Sequence, residues 1–136
     1  MATLTAEQRR AEAKSAYDAF LATCPARQVL ATVSDKWFSL VTVVLAERPR
    51  RYSELRAEIA GVSQKMLTQT LRSMERDGMV TRTVTAAVPV RVDYALTPLG
   101  RTLVPVLAAV KVWAESHIDE IHRARDEYDD RATGAA

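Results

Sequence analysis

Apolar positions recur every three or four residues along most of this chain, and one stretch, residues 79–96, switches to alternation. The helical pattern is most sharply punctuated just before that switch. Tyr52, Leu55 and Ile59 make the inward stripe of a short helix, and Ala60-Gly61-Val62 breaks it where Gly61 can take positive φ. Ser63 is placed to cap a second helix, which Leu67, Leu71 and Met74 turn inward. Residues 51–77 therefore predict a helix-turn-helix, closed by Asp77-Gly78. A Val/Thr-rich run from Met79 to Thr85 and a second run with Val90, Val92, Tyr94 and Leu96 inward are separated by Ala86-Ala87-Val88-Pro89. That spacing predicts a β-hairpin over 79–96. A hairpin directly after a helix-turn-helix is a wing.

The flanks are helical. Residues 5–22 form a helix opened by Thr5, with Gln8 completing a capping box, and carry only a thin stripe of Ala13, Ala16, Tyr17 and Phe20. Pro25 stops it. A short helical piece lies near 27–33, and Ser34-Asp35 caps another helix running to Glu47, with Trp37, Leu40, Val41, Val44 and Leu45 expected inside. Thr97-Pro98 opens the last helix, whose seam of Leu99, Leu103, Val106, Val110, Trp113 and Ile121 spans more than five turns. Pro105 should kink it, and the acidic end beyond Arg125 should fray. One small winged domain cannot cover so long a seam, so a second copy is the expected cover, with the first helix laid across it. The fold class is mainly α with a small β-hairpin (α+β). It is one winged helix-turn-helix domain over 1–136, with helices 5–22 and 98–125 for dimerisation.

Length and composition agree with this architecture: 136 residues suit one domain, and 48% apolar with 26% charged residues suits a soluble globular chain. No run of 18 apolar residues predicts a membrane span, and the N-terminus has no apolar signal-peptide core. The single cysteine, Cys24, cannot make an internal disulfide and suits a reducing cytoplasm, the expected location. The net charge of +2 decides nothing, but its distribution does. Arg48 to Arg91 holds nine Lys or Arg against four acids, whereas Glu115 to the end holds seven acids against three Arg. A basic centre calls for a polyanionic partner.

The second helix of the pair supplies the candidate site. Its outer face carries Gln64, Lys65, Thr68, Gln69 and Arg72 after Ser63, and these long donors suit base edges and phosphates in a major groove. The competing interpretation is an ordinary solvated face. Arg51 and Arg91 flank it, and Arg82 and Arg91 border the wing tip. For both wing arginines the alternative to a phosphate contact is a cross-strand pair with Asp93, favoured for Arg82 and evenly balanced for Arg91. No acid occurs from Ser63 to Ser73, which favours a DNA-binding regulator over a winged-helix protein-interaction module. His117 and His122, five apart on a helix, point too far apart to share a metal ion. Trp37, Tyr94 and Trp113 are candidate ligand-cavity walls, with plain core packing the alternative. Without a glycine-rich phosphate loop, a Cys pair or a nucleophile–base motif, neither an enzyme nor a cofactor is expected.

A set of motifs resembles the HxlR-type transcriptional regulators, a branch of the winged helix-turn-helix proteins. The matching residues are Cys24-Pro25, Lys36-Trp37, Arg51-Tyr52-Ser53-Glu54-Leu55, and Ser63 to Thr68 with Leu71. They continue with Glu75-Arg76-Asp77-Gly78, Val88-Pro89, Val92-Asp93-Tyr94, Leu96-Thr97, Leu99-Gly100 and Trp113. Departures are Ser34-Asp35, Val90 and Asp93, and none touches the second helix of the pair. The resemblance implies a homodimer on inverted-repeat DNA, a repressor being the expectation, with the helix from Ser63 as recognition helix. Cys24 also resembles the N-terminal cysteine that some members use to sense oxidants or electrophiles, making it a candidate sensor; the alternative is a small buried hydrophobe. A small-molecule effector is the other candidate signal.

Overall fold

Thr5 Oγ1 accepts from the Gln8 N–H at 3.1 Å while Gln8 Oε1 accepts from the Thr5 N–H at 2.8 Å, the capping box that starts helix α1, Ala6–Thr23. The structure is a computed structural model describing residues 3–134; residues 1–2 and 135–136 of the expected 1–136 domain lie outside the described residues. Helix α2, Pro25–Val33, follows with proline in its first turn, and α3, Lys36–Glu47, is capped by Asp35 Oδ1, which accepts from the N–H groups of Trp37 and Phe38. A two-residue strand β1, Arg50–Arg51, leads into α4, Tyr52–Glu58, and then α5, Gln64–Arg76. Strands β2, Val80–Thr85, and β3, Arg91–Leu96, form the wing, and α6, Pro98–Gly134, ends the described chain.

The core joins α3, α4, α5 and the wing base. Val41, Leu45, Leu55, Leu67, Leu71 and Met74 are fully enclosed, with Phe38, Ile59, Val62, Val80, Tyr94 and Leu96 around them. Each of the large apolar side chains contributes about 1.5–3 kcal/mol through burial. One expected core residue is misplaced: Leu40 stays 43% exposed, and Phe38 fills the core instead. The inward stripe of α3 falls at helical spacing on Phe38, Val41, Thr42 and Leu45, and Leu40 lies on the opposite side of the helix. Trp37 and Val44 sit half-buried at its edges.

The sheet runs β1-β3-β2, all antiparallel, with Val80 opposite Leu96 and Thr85 opposite Arg91. Arg51, expected at the start of the helix-turn-helix, is drawn with Arg50 into a third strand, Arg50 opposite Tyr94 and Arg51 opposite Asp93. Tyr94 and Leu96 point inward as expected, Val92 is half-buried, and Val90 is exposed because the hairpin tip projects beyond the helices. Helix α6 does not fray after Arg125 but continues to Gly134. From Asp126 to Thr133 there is neither glycine nor proline to stop it. The helix is also continuous through Pro105. No single helix among the described residues is long and apolar enough to cross a membrane.

Candidate nucleic-acid interface

The turn between α4 and α5 is built by three neighbours. Gly61 adopts φ +82°, Val62 plugs the core beneath it, and Ser63 Oγ accepts from the Met66 N–H at 3.1 Å to start α5. The inner side of α5 buries Leu67, Thr70, Leu71 and Met74, which leaves Gln64, Lys65, Gln69 and Arg72 exposed on the other side. Those four residues, with Thr68 and Ser73, line a shallow outward hollow. Among the described residues neither Lys65 nor Arg72 enters a salt bridge. Their donors are therefore available to an external anion.

Two of the expected contact residues are already engaged. Ser63 Oγ accepts the capping bond from the Met66 N–H, which leaves its O–H as the group it can offer outward. Thr68 is half-buried, and its Oγ1 lies 3.2 Å from the Tyr52 hydroxyl, which also reaches the Gln64 carbonyl at 3.2 Å. The spacing of Tyr52 predicts only a place in the inward stripe; its hydroxyl in addition fastens α4 to the first turn of α5. The only sequence signal for this was a tyrosine, rather than an apolar residue, at the stripe's edge.

The flanking arginines differ from one another. Arg51 is exposed on β1, opposite Asp93, and its backbone N–H donates to Glu54 Oε1 at 3.2 Å. Arg91 does bind Asp93, with Nε 3.1 and 2.9 Å from the two carboxylate oxygens, and that hydrogen bond raises its pKa further. The pair is not cross-strand as expected, because the two residues share one face of β3 at i and i+2. Arg82 has no such bond: Tyr94 stands opposite it, and Thr83 takes the place opposite Asp93. Arg50, absent from the expected site, is buried behind it and held by Glu47 and Glu58. The flanking carboxylates at 47 and 58 were the available signal.

Away from this face, Cys24 is half-buried between α1 and α2, in a shallow groove lined also by Leu21, Arg27 and Leu30. His117 stacks on Trp113 with ring centroids 4.5 Å apart, and its Nδ1 lies 2.7 Å from the Trp113 carbonyl. Tyr94 is core, Trp37 lies under the Lys36 ammonium, and Trp113 faces outward on α6.

A helix with no acid before Glu75 on its polar face, set across a glycine turn from a shorter helix with a three-stranded wing behind it, defines a winged helix-turn-helix DNA-binding unit. The chain belongs to the HxlR-like helix-turn-helix family, whose model matches residues 32–122. Over 108 residues it is 43% identical to YtfH of Escherichia coli K12, an uncharacterized transcriptional regulator of the helix-turn-helix type, covering 79% of this chain and 86% of YtfH. The solved structure of ytfH from Salmonella typhimurium matches with TM-score 0.70 and 38% identity, over 79% of this chain and 96% of that one. The redox regulator HypR in its reduced form matches with TM-score 0.69 and 35% identity, over 74% of this chain and 99% of HypR. The protein is thus a transcriptional regulator of this family rather than an enzyme.

Proposed function

We propose that two copies of this chain bind an inverted-repeat operator, each placing α5 in a major groove, and that the bound dimer represses by occupying that site. The observation that carries this is the outer face of α5, where Lys65 and Arg72 lie free of acids beside Gln64 and Gln69. Side chains in the first turn of such a helix meet base edges, and a dimer sets its two half-sites about one helical turn apart or a multiple of it. The second copy is supported by exposed apolar surface on the terminal helices: Tyr17 and Phe20 on α1, and Val106, Val110 and Trp113 on α6. Fluorescence anisotropy on preferred and scrambled duplexes tests the DNA reading. Lys65→Ala or Gln64→Ala should cost about 1–3 kcal/mol and relax specificity. If Lys65→Ala and Arg72→Ala both bind the preferred duplex as tightly as wild type, α5 is not the reading helix and the protein-interaction reading takes its place.

Cys24 supports a redox- or electrophile-responsive version of the same function. It is half-buried beside Arg27, and the similar protein HypR is described as a redox regulator. An oxidant or electrophile should weaken operator binding by wild type and leave Cys24→Ser unaffected. Equal responses make Cys24 a packing residue and leave a noncovalent small molecule as the signal.

A further inference from the structure

We infer that Tyr52 fixes the hydrogen-bond polarity of Thr68, so that Thr68 offers DNA an acceptor alone and selects a base carrying an exocyclic amine. The inference rests on α5 being the helix that reads DNA.

The Tyr52 hydroxyl lies 3.2 Å from the Gln64 carbonyl oxygen and 3.2 Å from Thr68 Oγ1. A carbonyl only accepts, so the single Tyr52 proton goes to Gln64. The contact between the two hydroxyls then needs its donor from Thr68, and the Thr68 proton points at Tyr52. A helical threonine ordinarily has another acceptor within reach, the carbonyl four residues back. Here that carbonyl belongs to Gln64, and its two lone pairs are taken by the Thr68 backbone N–H and by Tyr52. The Thr68 hydroxyl is left with lone pairs only.

Thr68 lies on the wall of the outward hollow, between Gln64 and Lys65 on one side and Gln69 and Arg72 on the other. In the major groove adenine N6 and cytosine N4 donate, whereas guanine O6 and N7 and thymine O4 accept. A threonine locked as acceptor favours adenine or cytosine on the strand it touches and disfavours guanine or thymine there. Tyr52 thereby acts as a positioning residue for specificity, although its hydroxyl bonds within the protein. Any tyrosine that merely packed could be replaced by phenylalanine without changing which base is preferred.

The test uses the full chain and duplexes selected from a randomised pool. The base position read by Thr68 is the one whose preference disappears in Thr68→Val. At that position wild type should favour adenine or cytosine over the reversed pair by about threefold to tenfold, the effect of one hydrogen bond. Tyr52→Phe, which keeps the ring, frees the Thr68 proton to turn either to the vacated Gln64 carbonyl or to an acceptor on the base. This preference should then fall to about twofold or less while preferences elsewhere stay unchanged. Thr68→Ser, which keeps the hydroxyl, should retain it, and adding Tyr52→Phe to Thr68→Val should change nothing more. The inference is overturned if Tyr52→Phe retains the wild-type preference, if guanine or thymine is favoured, if Thr68→Val erases no preference, or if the double variant differs from Thr68→Val. Lys65→Ala and Arg72→Ala serve as controls: normal binding by both removes α5 as the reading helix, a separate failure from that of Tyr52.

Discussion

Arg50 Nε donates to both carboxylate oxygens of Glu58, at 3.1 and 2.9 Å, and so ties strand β1 to the far end of α4. The same guanidinium reaches Glu47 on α3 at 3.0 Å and the Arg48 carbonyl at 2.9 Å, with Arg50 only 4% exposed. Three elements meet on one side chain, and because β1 pairs with β3, the wing base is anchored there too. Arg50 is the enclosed member of this set, so removing Glu58 leaves its guanidinium with only Glu47 and the Arg48 carbonyl, whereas removing both Arg50 and Glu58 leaves no enclosed charge there. Glu58→Ala should therefore lower the melting temperature more than Glu58→Ala combined with Arg50→Met. Thermal denaturation checks this, and a double variant less stable than the single one would contradict it.

Glu54 gives the fold a dependence on acid. Arg48 donates to its Oε2 at 2.9 Å, the Arg51 backbone N–H donates to Oε1, and together they hold Glu54 below the ordinary value of 4.5. The unfolded chain then binds the proton first, so this contribution is present above pH 4.5 and is lost as pH falls through the folded value. The pair is partly exposed and its effect is small. Melting temperature against pH should fall less steeply below 4.5 in Glu54→Gln than in wild type. Parallel curves would remove Glu54 from the account.

The outward seam on α6 makes association testable. Trp113 is 57% exposed and Val110 stands one turn before it. Sedimentation equilibrium at micromolar concentration should give twice the chain mass of 15.1 kDa for wild type and the chain mass for Val110→Asp. Wild type sedimenting as a single chain would refute the dimer.

The Arg91–Asp93 pair sets a particular expectation for the wing. Asp93→Asn removes an acid from the wing and loosens the grip on the Arg91 guanidinium. Binding should tighten for preferred and scrambled duplexes alike, and the dependence on log salt should steepen by about one unit. Unchanged affinity and slope would mean that the wing contacts no phosphate through Arg91.

Gly100 sits under the wing base, where an added Cβ would press into the Met79 carbonyl oxygen and the Leu96 side chain. Because the neighbour is backbone, it cannot swing aside. Gly100→Ala should cost about 1–3 kcal/mol in chemical denaturation, typical of overpacking. Wild-type stability in that variant would show that the contact relaxes freely.

Local chemistry carried most of what could be foreseen. Gly61 and Gly78 both have positive φ, Ser63, Asp35 and Thr5 all cap as their types suggest, and the Val/Thr runs pair as a hairpin. The failures are those of phase and partnership. Leu40 lies opposite the stripe of Phe38, Val41, Thr42 and Leu45, and its apolar type alone does not tell that it falls on the outer side. Arg50 looked like surface charge because Glu47 and Glu58 converge on it only after α3 and α4 have packed. Thr68 looked like a free hydroxyl for the same reason: Tyr52 is 16 residues away along the chain. The candidate face was thus legible as a set of residue types, while the state of each donor and acceptor on it was not.

Helix α6 is a lever with its pivot at the wing. Thr97 and Gly100 pin its first turn, the Thr97 N–H donating to Met79 and the Gly100 N–H to Thr97 Oγ1, each at 3.0 Å. From that pivot its 37 residues extend about 55 Å at 1.5 Å per residue. No loop interrupts the arm between the pinned turn and the outward-facing Val110 and Trp113. A tilt of about one degree at the pivot moves the far end by about 1 Å over that length. An arm that tilted as one piece would pass its movement, geared down, to the base of the wing.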